Sequence, residues 1–284
     1  MVESGDFKVG DAVFGDVVGV RTGSCAEYLV VDSRVLALKP TTLTHVQAAG
    51  APLAGITALQ CFEACHFERG GRVLITGGAG GVGTYAIQIA KHHYNASFVA
   101  TTASAGKMDF VMGLGADAAY DYKGIGPEEY ISKCLAGDVA FDCIIDCTGE
   151  AWKLRKLVRP GGGLVSILSY PTSEILNKWA TESIGPGMSI SPMILNSIWG
   201  LGSTLNFFTG AKAVINYLAI VDATFKHIIT MPNKEAIHLL ASLLESKAVV
   251  PQIDSEFDLY TQALDAVRRQ ESGRASGKVI LRCV

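Results

Sequence analysis

Several features that mark specialised protein classes are scarce or missing in this sequence. Only 18% of the 284 residues are charged and the formal net charge is −3. Because no basic block or acidic tail stands out, we expect no nucleic-acid partner. The residues after Met1 do not resemble a signal or transit peptide. The seven cysteines are odd in number and irregularly spaced, which favours a reducing compartment over a disulfide framework and predicts a cytoplasmic protein.

The most informative feature present is a glycine-rich turn. It follows an apolar run at residues 72–76 and precedes a helical pattern that begins at Thr84. Its glycines fit the G-x-G-x-x-G spacing, in which one glycine permits the turn, the next admits a pyrophosphate and the last lets helix and strand pack. Helix N–H groups then favour the anionic phosphates. The predicted cofactor loop is Gly78, Ala79, Gly80, Gly81, Val82 and Gly83.

The segment after this loop indicates which dinucleotide binds. NAD sites usually place an acid at the end of the second strand, here predicted at residues 97–102, but no acid occurs between Gly83 and Asp109. The chain offers instead the hydroxyls of Thr101, Thr102 and Ser104 and the ammonium of Lys107. These groups suit the 2′-phosphate of NADPH, which we therefore predict over NADH. The alternative is that Lys107 is an ordinary solvated helix lysine.

Alternating strand and helix patterns give the fold class, which is α/β with a doubly wound parallel sheet. Residues 160–163, Pro-Gly-Gly-Gly, are predicted to be a turn from helix to strand. The predicted strands are residues 72–76, 97–102, 118–122, 143–147, 164–168 and 227–231, and the predicted helices are residues 84–93, 107–114 and 128–135.

The two ends of the chain have a different pattern, which indicates a smaller β-rich module. Strand-like runs occur at residues 9–14 and 26–31, and a closing strand at 278–282 is predicted to rejoin them. The nucleotide-binding domain would then be bracketed by two pieces of one domain. We predict boundaries at residues 1–45, 46–246 and 247–284.

A series of short motifs along the whole chain carries a family resemblance. They lie at residues 9–13, 23–28, 51–58, 77–83, 114–117, 121–122, 141–142, 146–149, 160–162 and 277–281. In this order they resemble the medium-chain dehydrogenase/reductase superfamily, in its zinc-independent quinone oxidoreductase (zeta-crystallin-like) branch. The resemblance implies a Rossmann domain, a GroES-like domain, NADPH and a homodimer. It also implies hydride transfer to a small electrophilic substrate, such as a quinone or enone.

The same resemblance carries over individual cofactor-binding positions. Ser104 and Lys107 match positions that hold the 2′-phosphate, although a neighbouring serine typical of the family is Ala103 here. Tyr122 matches a tyrosine beside the adenosine.

Other matched positions lie toward the nicotinamide end of the cofactor. Thr57 matches a threonine near the phosphates and nicotinamide, and Thr148 and Gly149 fall where the nicotinamide ribose lies. For Thr57, as for Tyr122, simple packing is the alternative.

The front of the chain departs from the family pattern. The motif at residues 9–13 belongs well inside the GroES-like domain of the family, so we expect that domain to be partial. Either the sequence is a fragment or the protein has lost part of its site. The leading hypothesis is an NADPH-dependent reductase with no catalytic residue assigned. The alternative is a nucleotide-binding protein without turnover that serves as a sensor or interaction module.

A second departure is an uncharged stretch from Ser183 through Ala211. It is long enough to span a bilayer, but polar residues and Pro192 interrupt it, so membrane association is not expected. Helices that cover the cofactor or a subunit interface are favoured. Aromatic residues in or beside the stretch could line a substrate pocket or pack in the core: Trp199, Phe207, Phe208 and Tyr217.

Zinc is the main rival chemistry within the superfamily. Zinc-dependent members need a Cys or His ligand just before the stretch that matches Gly55-Ile56-Thr57, and residues 50–54 contain neither. Cys61 and Cys65 lie one helical turn apart and are expected to pack as small hydrophobes. No metal site is predicted.

Overall fold

The structure is a computed structural model of the chain, and it describes residues 7–17, 23–124, 129, 132–133, 140–168, 224–228 and 230–283. The strands are β1 (Val13–Gly15), β2 (Leu36–Leu38), β3 (Arg72–Ile75), β4 (Phe98–Ala103), β5 (Ala118–Asp121), β6 (Phe141–Asp146), β7 (Val158–Ser166), β8 (Thr224–His227), β9 (Ile253–Asp258) and β10 (Lys278–Arg282). The helices are α1 (His45–Ala49), α2 (Pro52–Ala64), α3 (Gly81–His92), α4 (Met108–Gly113), α5 (Ala151–Leu154), α6 (Lys234–Glu245) and α7 (Ala263–Glu271).

The centre of the molecule is a parallel six-stranded sheet in the order β5-β4-β3-β6-β7-β8. From β3 the chain first moves outward through β4 to β5, then returns to the other side of β3 at β6. This order is that of a Rossmann fold, and the change of direction creates a switch point between β3 and β6. The predicted doubly wound parallel sheet is confirmed.

Both faces of the sheet are covered, which explains why its central strands are apolar without alternation. In β3, Val73 and Ile75 belong to one hydrophobic cluster, whereas Leu74 belongs to the other. Successive side chains of a strand point to opposite faces, so a strand buried on both sides is apolar at every position. The larger cluster includes side chains of α2, α3 and α6.

Two strand predictions need correction at their ends. The strand predicted at residues 227–231 is β8, which spans Thr224–His227 and pairs with β7 from Gly163 to Ser166. The observed strand therefore ends at the residue where the prediction began. The glycines of the predicted turn at 160–163 lie inside β7, whose register shifts opposite Phe141 and Cys143. Such a bulge admits a glycine run into a strand, and Gly161 has φ +79°.

The terminal segments also differ from the prediction. Residues 26–31 do not form a strand, and Tyr28 and Val30 there are 89% and 92% exposed. The closing strand β10 exists, but its partner is β9, in parallel. In the described residues the N-terminal pair β1 and β2 forms a separate antiparallel sheet. Among the described residues, β10 pairs with neither β1 nor β2, so the predicted pairing of the C-terminal strand with the N-terminal strands is not found there.

Some predictions lie outside the described residues. They concern most of the helix at 128–135 and the whole uncharged stretch with its aromatic residues. Among the helices that are described, none is long and apolar enough to cross a membrane.

A buried carboxylate ties the ends of three central strands together. Asp146, the last residue of β6, has no exposed surface. Hydroxyls from the neighbouring strand ends donate to it, Thr76 to Oδ1 and Ser166 to Oδ2, each at 3.0 Å. The backbone N–H groups that follow β6 also donate to it, from Thr148, Gly149, Glu150 and Ala151, at 3.0–3.1 Å. These donors compensate a charge that burial would otherwise make costly.

The close approach of α3 to the turn before it depends on Gly83. A Cβ at this position would lie 2.4 Å from the Gly77 carbonyl oxygen and 2.7 Å from Gly78 Cα. Both contacts are with backbone, which cannot swing aside as a flexible side chain would.

We expect Gly83→Ala to lower the free energy of unfolding by about 1–3 kcal/mol, because the added methyl forces the helix away from the turn. Gly113→Ala in α4 is the matched control, since its Cβ would meet nothing within 4 Å. It should be neutral or stabilising by up to about 1 kcal/mol. Urea unfolding measures both, and equal effects would contradict the packing role of Gly83.

We expect Asp146→Asn to destabilise the protein by about 1–3 kcal/mol, because an amide nitrogen cannot accept the hydrogen bonds that one carboxylate oxygen now receives. Asp265→Asn is the control: Asp265 is exposed and pairs with the exposed Arg268, so its loss should cost less than about 1 kcal/mol. Urea unfolding again compares them. If the two variants were equally stable, the buried network would not be stabilising.

Candidate cofactor-binding site

The glycine turn joins β3 to α3 at the switch point of the sheet. Neighbouring β4 fixes its backbone, since Gly77 N–H donates to Thr102 Oγ1 and Gly78 N–H to the Thr102 carbonyl, each at 2.9 Å. In the described part of the chain no side chain caps α3 at Gly80. The N–H groups of its first turn are therefore available to an anion, at the edge where open α/β sheets bind ligands.

Thr102 is a predicted site residue whose hydroxyl is already engaged. It is 1% exposed, and both its hydroxyl and its carbonyl accept hydrogen bonds from the glycine turn. This geometry makes Thr102 a support of the turn, and any contribution to cofactor binding would pass through the turn's shape.

The loop after β6 lies directly against the glycine turn. Thr148 Cγ2 would be 3.1 Å from a Cβ at Gly77, and Thr148 Oγ1 lies 2.9 Å from Thr76 Oγ1. Gly149 follows with φ +82° and with open space where its Cβ would be. The structure thus brings the predicted ribose-binding residues next to the predicted pyrophosphate loop, through the contacts of Asp146 with both strand ends.

The predicted adenosine-end residues also come together. Ala103 of β4 pairs with Asp121 of β5, and Ser104 and Tyr122 are the residues that follow them. Tyr122 N–H donates to the Ala103 carbonyl at 3.3 Å. Tyr122 is 42% exposed, and the centroid of its ring lies 5.9 Å from Lys123 Nζ, so an aromatic residue and a cation are found at this edge.

Lys107 lies close to the same edge but contacts a distant part of the chain. Its Nζ donates to the carbonyls of Arg274 and Ala275 at 2.9 and 3.0 Å. Burial lowers the pKa of Lys107, an effect that Asp254 opposes and that Arg269 and Lys123 reinforce. The ammonium is therefore held in place by the C-terminal segment and is not the freely solvated lysine of the alternative interpretation.

Thr57 is buried on α2, at 4% exposed. Its Oγ1 donates to the Leu53 carbonyl at 2.6 Å, and it forms a close hydroxyl pair with Thr230. These bonds hold α2 against the segment that follows β8. The packing role is thus visible, and a cofactor role for Thr57 stays a prediction.

Sequence reasoning missed two residues at this site. Asp146 carried a usable signal, because an acid that ends an apolar strand must find donors once it is buried. Lys278 carried none along the chain. It reaches the glycine turn only because β10 begins there, with Gly277 N–H donating to the Ala79 carbonyl at 3.0 Å.

The cysteines near the turn do not fit a zinc site. Cys61, Cys143 and Cys147 are free thiols, and the first two are buried, as expected for cysteines that pack as small hydrophobes. No group of three or more His, Cys, Asp or Glu among the described residues could hold a metal ion.

Known proteins support the resemblance seen in the sequence. Residues 114–281 match the zinc-binding dehydrogenase family. The chain is 32% identical over 281 residues to a 2-methylene-furan-3-one reductase of Solanum lycopersicum. This match covers 96% of this chain and 58% of the relative. It is 40% identical over 173 residues to a chloroplastic NADPH-dependent alkenal/one oxidoreductase of Arabidopsis thaliana, covering 59% of this chain and 43% of the relative.

Solved structures show the same relationship in three dimensions. A quinone oxidoreductase from Coxiella burnetii superimposes with a TM-score of 0.74 at 26% identity, covering 99% of this chain and 75% of that chain. The present chain spans 58% and 43% of the two curated relatives, so it corresponds to part of their length. The predicted superfamily is confirmed: the chain is a medium-chain dehydrogenase/reductase and belongs to the zinc-binding dehydrogenase family.

Proposed function

We propose that this chain is an NADPH-dependent oxidoreductase that transfers hydride to quinones, enones or similar activated carbonyl compounds. The observation that carries the proposal is the uncapped N-terminus of α3 behind the glycine turn, at a strand switch point where dinucleotides bind. The names of the tomato and Arabidopsis relatives, a furanone reductase and an alkenal/one oxidoreductase, support the substrate class.

All predicted site residues except Thr102, which supports the glycine turn, have a direct role in this proposal. Residues 78–83 surround the diphosphate, and Ser104 and Lys107 hold the 2′-phosphate beside Tyr122. Thr148 and Gly149 border the nicotinamide ribose, with Thr57 near the nicotinamide.

The chemistry needs little from the protein beyond positioning. When bound, NADPH supplies the hydride to an electrophilic carbon of the substrate. The substrate completes its reduction with a proton from solvent or from a donor that we do not assign. The protein's part is to hold donor and acceptor at reacting distance and orientation.

Lys107 supports the choice of NADPH over NADH. No acid stands at the end of β4, where a carboxylate would repel a 2′-phosphate. The bonds from Lys107 to the Arg274 and Ala275 carbonyls hold the ammonium at this edge without neutralising its charge. A fixed cation loses less conformational freedom on binding an anion than a mobile one.

We expect the purified chain to oxidise NADPH in the presence of a panel of quinones and enones, with reduced product identified by mass spectrometry. Gly80→Val is the control, because a Cβ there would lie 3.2 Å from the Gly77 carbonyl oxygen and the branched side chain would block a diphosphate. This variant should lose both NADPH binding and turnover.

The outcomes separate the candidate functions. NADPH binding without reduction of any substrate would favour the non-catalytic nucleotide sensor. If Gly80→Val stayed folded and bound NADPH as tightly as the wild type, the assigned loop would be wrong.

We expect Lys107→Met to weaken NADPH binding by about 1–3 kcal/mol and to leave NADH binding nearly unchanged, because only NADPH carries the 2′-phosphate. NADH is the internal control, since any general loosening of the C-terminal segment would affect both dinucleotides. Fluorescence titration measures the two affinities. An equal loss for both would remove Lys107 from the 2′-phosphate site.

A further inference from the structure

An ion pair supports the loop that leads into the C-terminal strand. Arg269 of α7 donates to both oxygens of Asp254 in β9, from Nε to Oδ2 at 2.7 Å and from Nη2 to Oδ1 at 2.6 Å. Only 6% of the Asp254 side chain is exposed, and Ser255 Oγ also donates to its Oδ2, at 2.8 Å. The pair is rigid, because two parallel hydrogen bonds fix the relative orientation of the two planar groups.

The same pair fixes the backbone of residues 274–276. Ser276 N–H donates to Asp254 Oδ1 at 2.8 Å, and Arg269 Nη2 donates to the Arg274 carbonyl at 3.3 Å. Residues 274–276 belong to no helix or strand, so no regular ladder of backbone hydrogen bonds holds them. The side chains of Asp254 and Arg269 supply the support that the backbone lacks.

Lys107 is attached to this supported loop. Its Nζ donates to the carbonyls of Arg274 and Ala275, and the Arg274 carbonyl is the one that also accepts from Arg269. An ammonium has three N–H donors, and in the described part of the chain these two carbonyls are its hydrogen-bond partners. One donor is therefore left for an anion, and its direction depends on where the loop places the two carbonyls.

The two charges of the pair act on Lys107 in opposite directions. Burial lowers the pKa of Lys107, Asp254 raises it and Arg269 lowers it. Removal of one charge or the other would therefore change the electrostatic potential at a bound anion with opposite signs. Either change would free the loop, so a positioning role and a purely electrostatic role give different results.

We propose that Asp254 and Arg269 are positioning residues for the 2′-phosphate of NADPH, on which they act through the loop and Lys107. This role rests on the proposed function, in which Lys107 holds that phosphate, and it adds a determinant of cofactor specificity in the C-terminal segment. A lysine that is ordered before binding loses less conformational freedom when the phosphate arrives. Because NADH lacks the 2′-phosphate, the pair favours NADPH over NADH.

The test compares Arg269→Met, Asp254→Asn and the wild type by fluorescence titration with NADPH and NADH. Each variant should weaken NADPH binding by a factor of about 3–10, because the loop no longer orders Lys107, and should leave NADH binding unchanged. Arg268→Met is the matched control. Arg268 is the neighbouring residue of α7 and pairs with the exposed Asp265, so its replacement should change neither affinity.

A double-mutant cycle shows whether the pair acts through Lys107. In the Lys107→Met background, Arg269→Met should have no further effect on NADPH affinity, because the group that the loop orders is gone. Effects that add in the double variant would show that Arg269 acts on NADPH by another route, and the proposal would be wrong.

A second measurement needs no substitution and decides the question if the variants do not fold. Hydrogen exchange of the wild-type protein, read by peptide mass spectrometry, should show stronger protection of residues 272–277 with saturating NADPH than with saturating NADH. The reason is that only the 2′-phosphate binds the lysine that this segment holds. Peptides of α3 should be protected equally, since the diphosphate is common to both dinucleotides. Equal protection of residues 272–277 would contradict the proposal.

The outcomes are distinct from those of the proposed function. If Lys107→Met loses NADPH selectively while Arg269→Met and Asp254→Asn bind it like the wild type, Lys107 keeps its assignment and the pair has no positioning role. Opposite effects of the two pair variants would show an electrostatic role, and equal losses for NADPH and NADH a structural one; both overturn the proposal. If Lys107→Met is not selective, or if the wild type binds neither dinucleotide, the assignment of Lys107 and the role of the pair are both wrong.

Discussion

The buried carboxylate of Asp146 is the interaction on which the central edge of the sheet depends. A charge without exposed surface is tolerated only when donors surround it, and here the donors come from three strand ends. The hydrogen bonds to Asp146 fix the positions of Thr76, Thr148 and Ser166 relative to one another. The predicted ribose-binding loop and the glycine turn are neighbours as a result, because each is attached to a strand that Asp146 holds.

Close backbone packing between α3 and the glycine turn is the second constraint on the position of the turn. Gly83 lets α3 approach the Gly77 carbonyl to a distance that excludes any side chain, while Thr102 fixes the same turn from β4. The turn is therefore held from both neighbouring strands and from its own helix. A rigid set of N–H groups binds an anion with little loss of conformational freedom, which is the advantage of building the site on regular elements.

The C-terminal segment also contributes contacts to the candidate cofactor site. Its carbonyls at Arg274 and Ala275 hold Lys107, and Lys278 reaches Gly81. The positions of both lysines therefore depend on this C-terminal segment. Residues 274–278 lie at or just before the start of β10, which pairs in parallel with β9.

The sequence alone determined the glycine turn, the alternation that indicates a parallel sheet and the lack of an acid after the second strand, because these are local patterns of neighbouring residues. It did not determine the ends of β7 and β8, where pairing with other strands decides. Only the tertiary structure brought Lys278 to the turn and engaged Lys107 with distant carbonyls. Such contacts join segments that are far apart in the chain. They form because folding buries the two segments together, so neither segment carries a periodic sequence pattern that would reveal the contact.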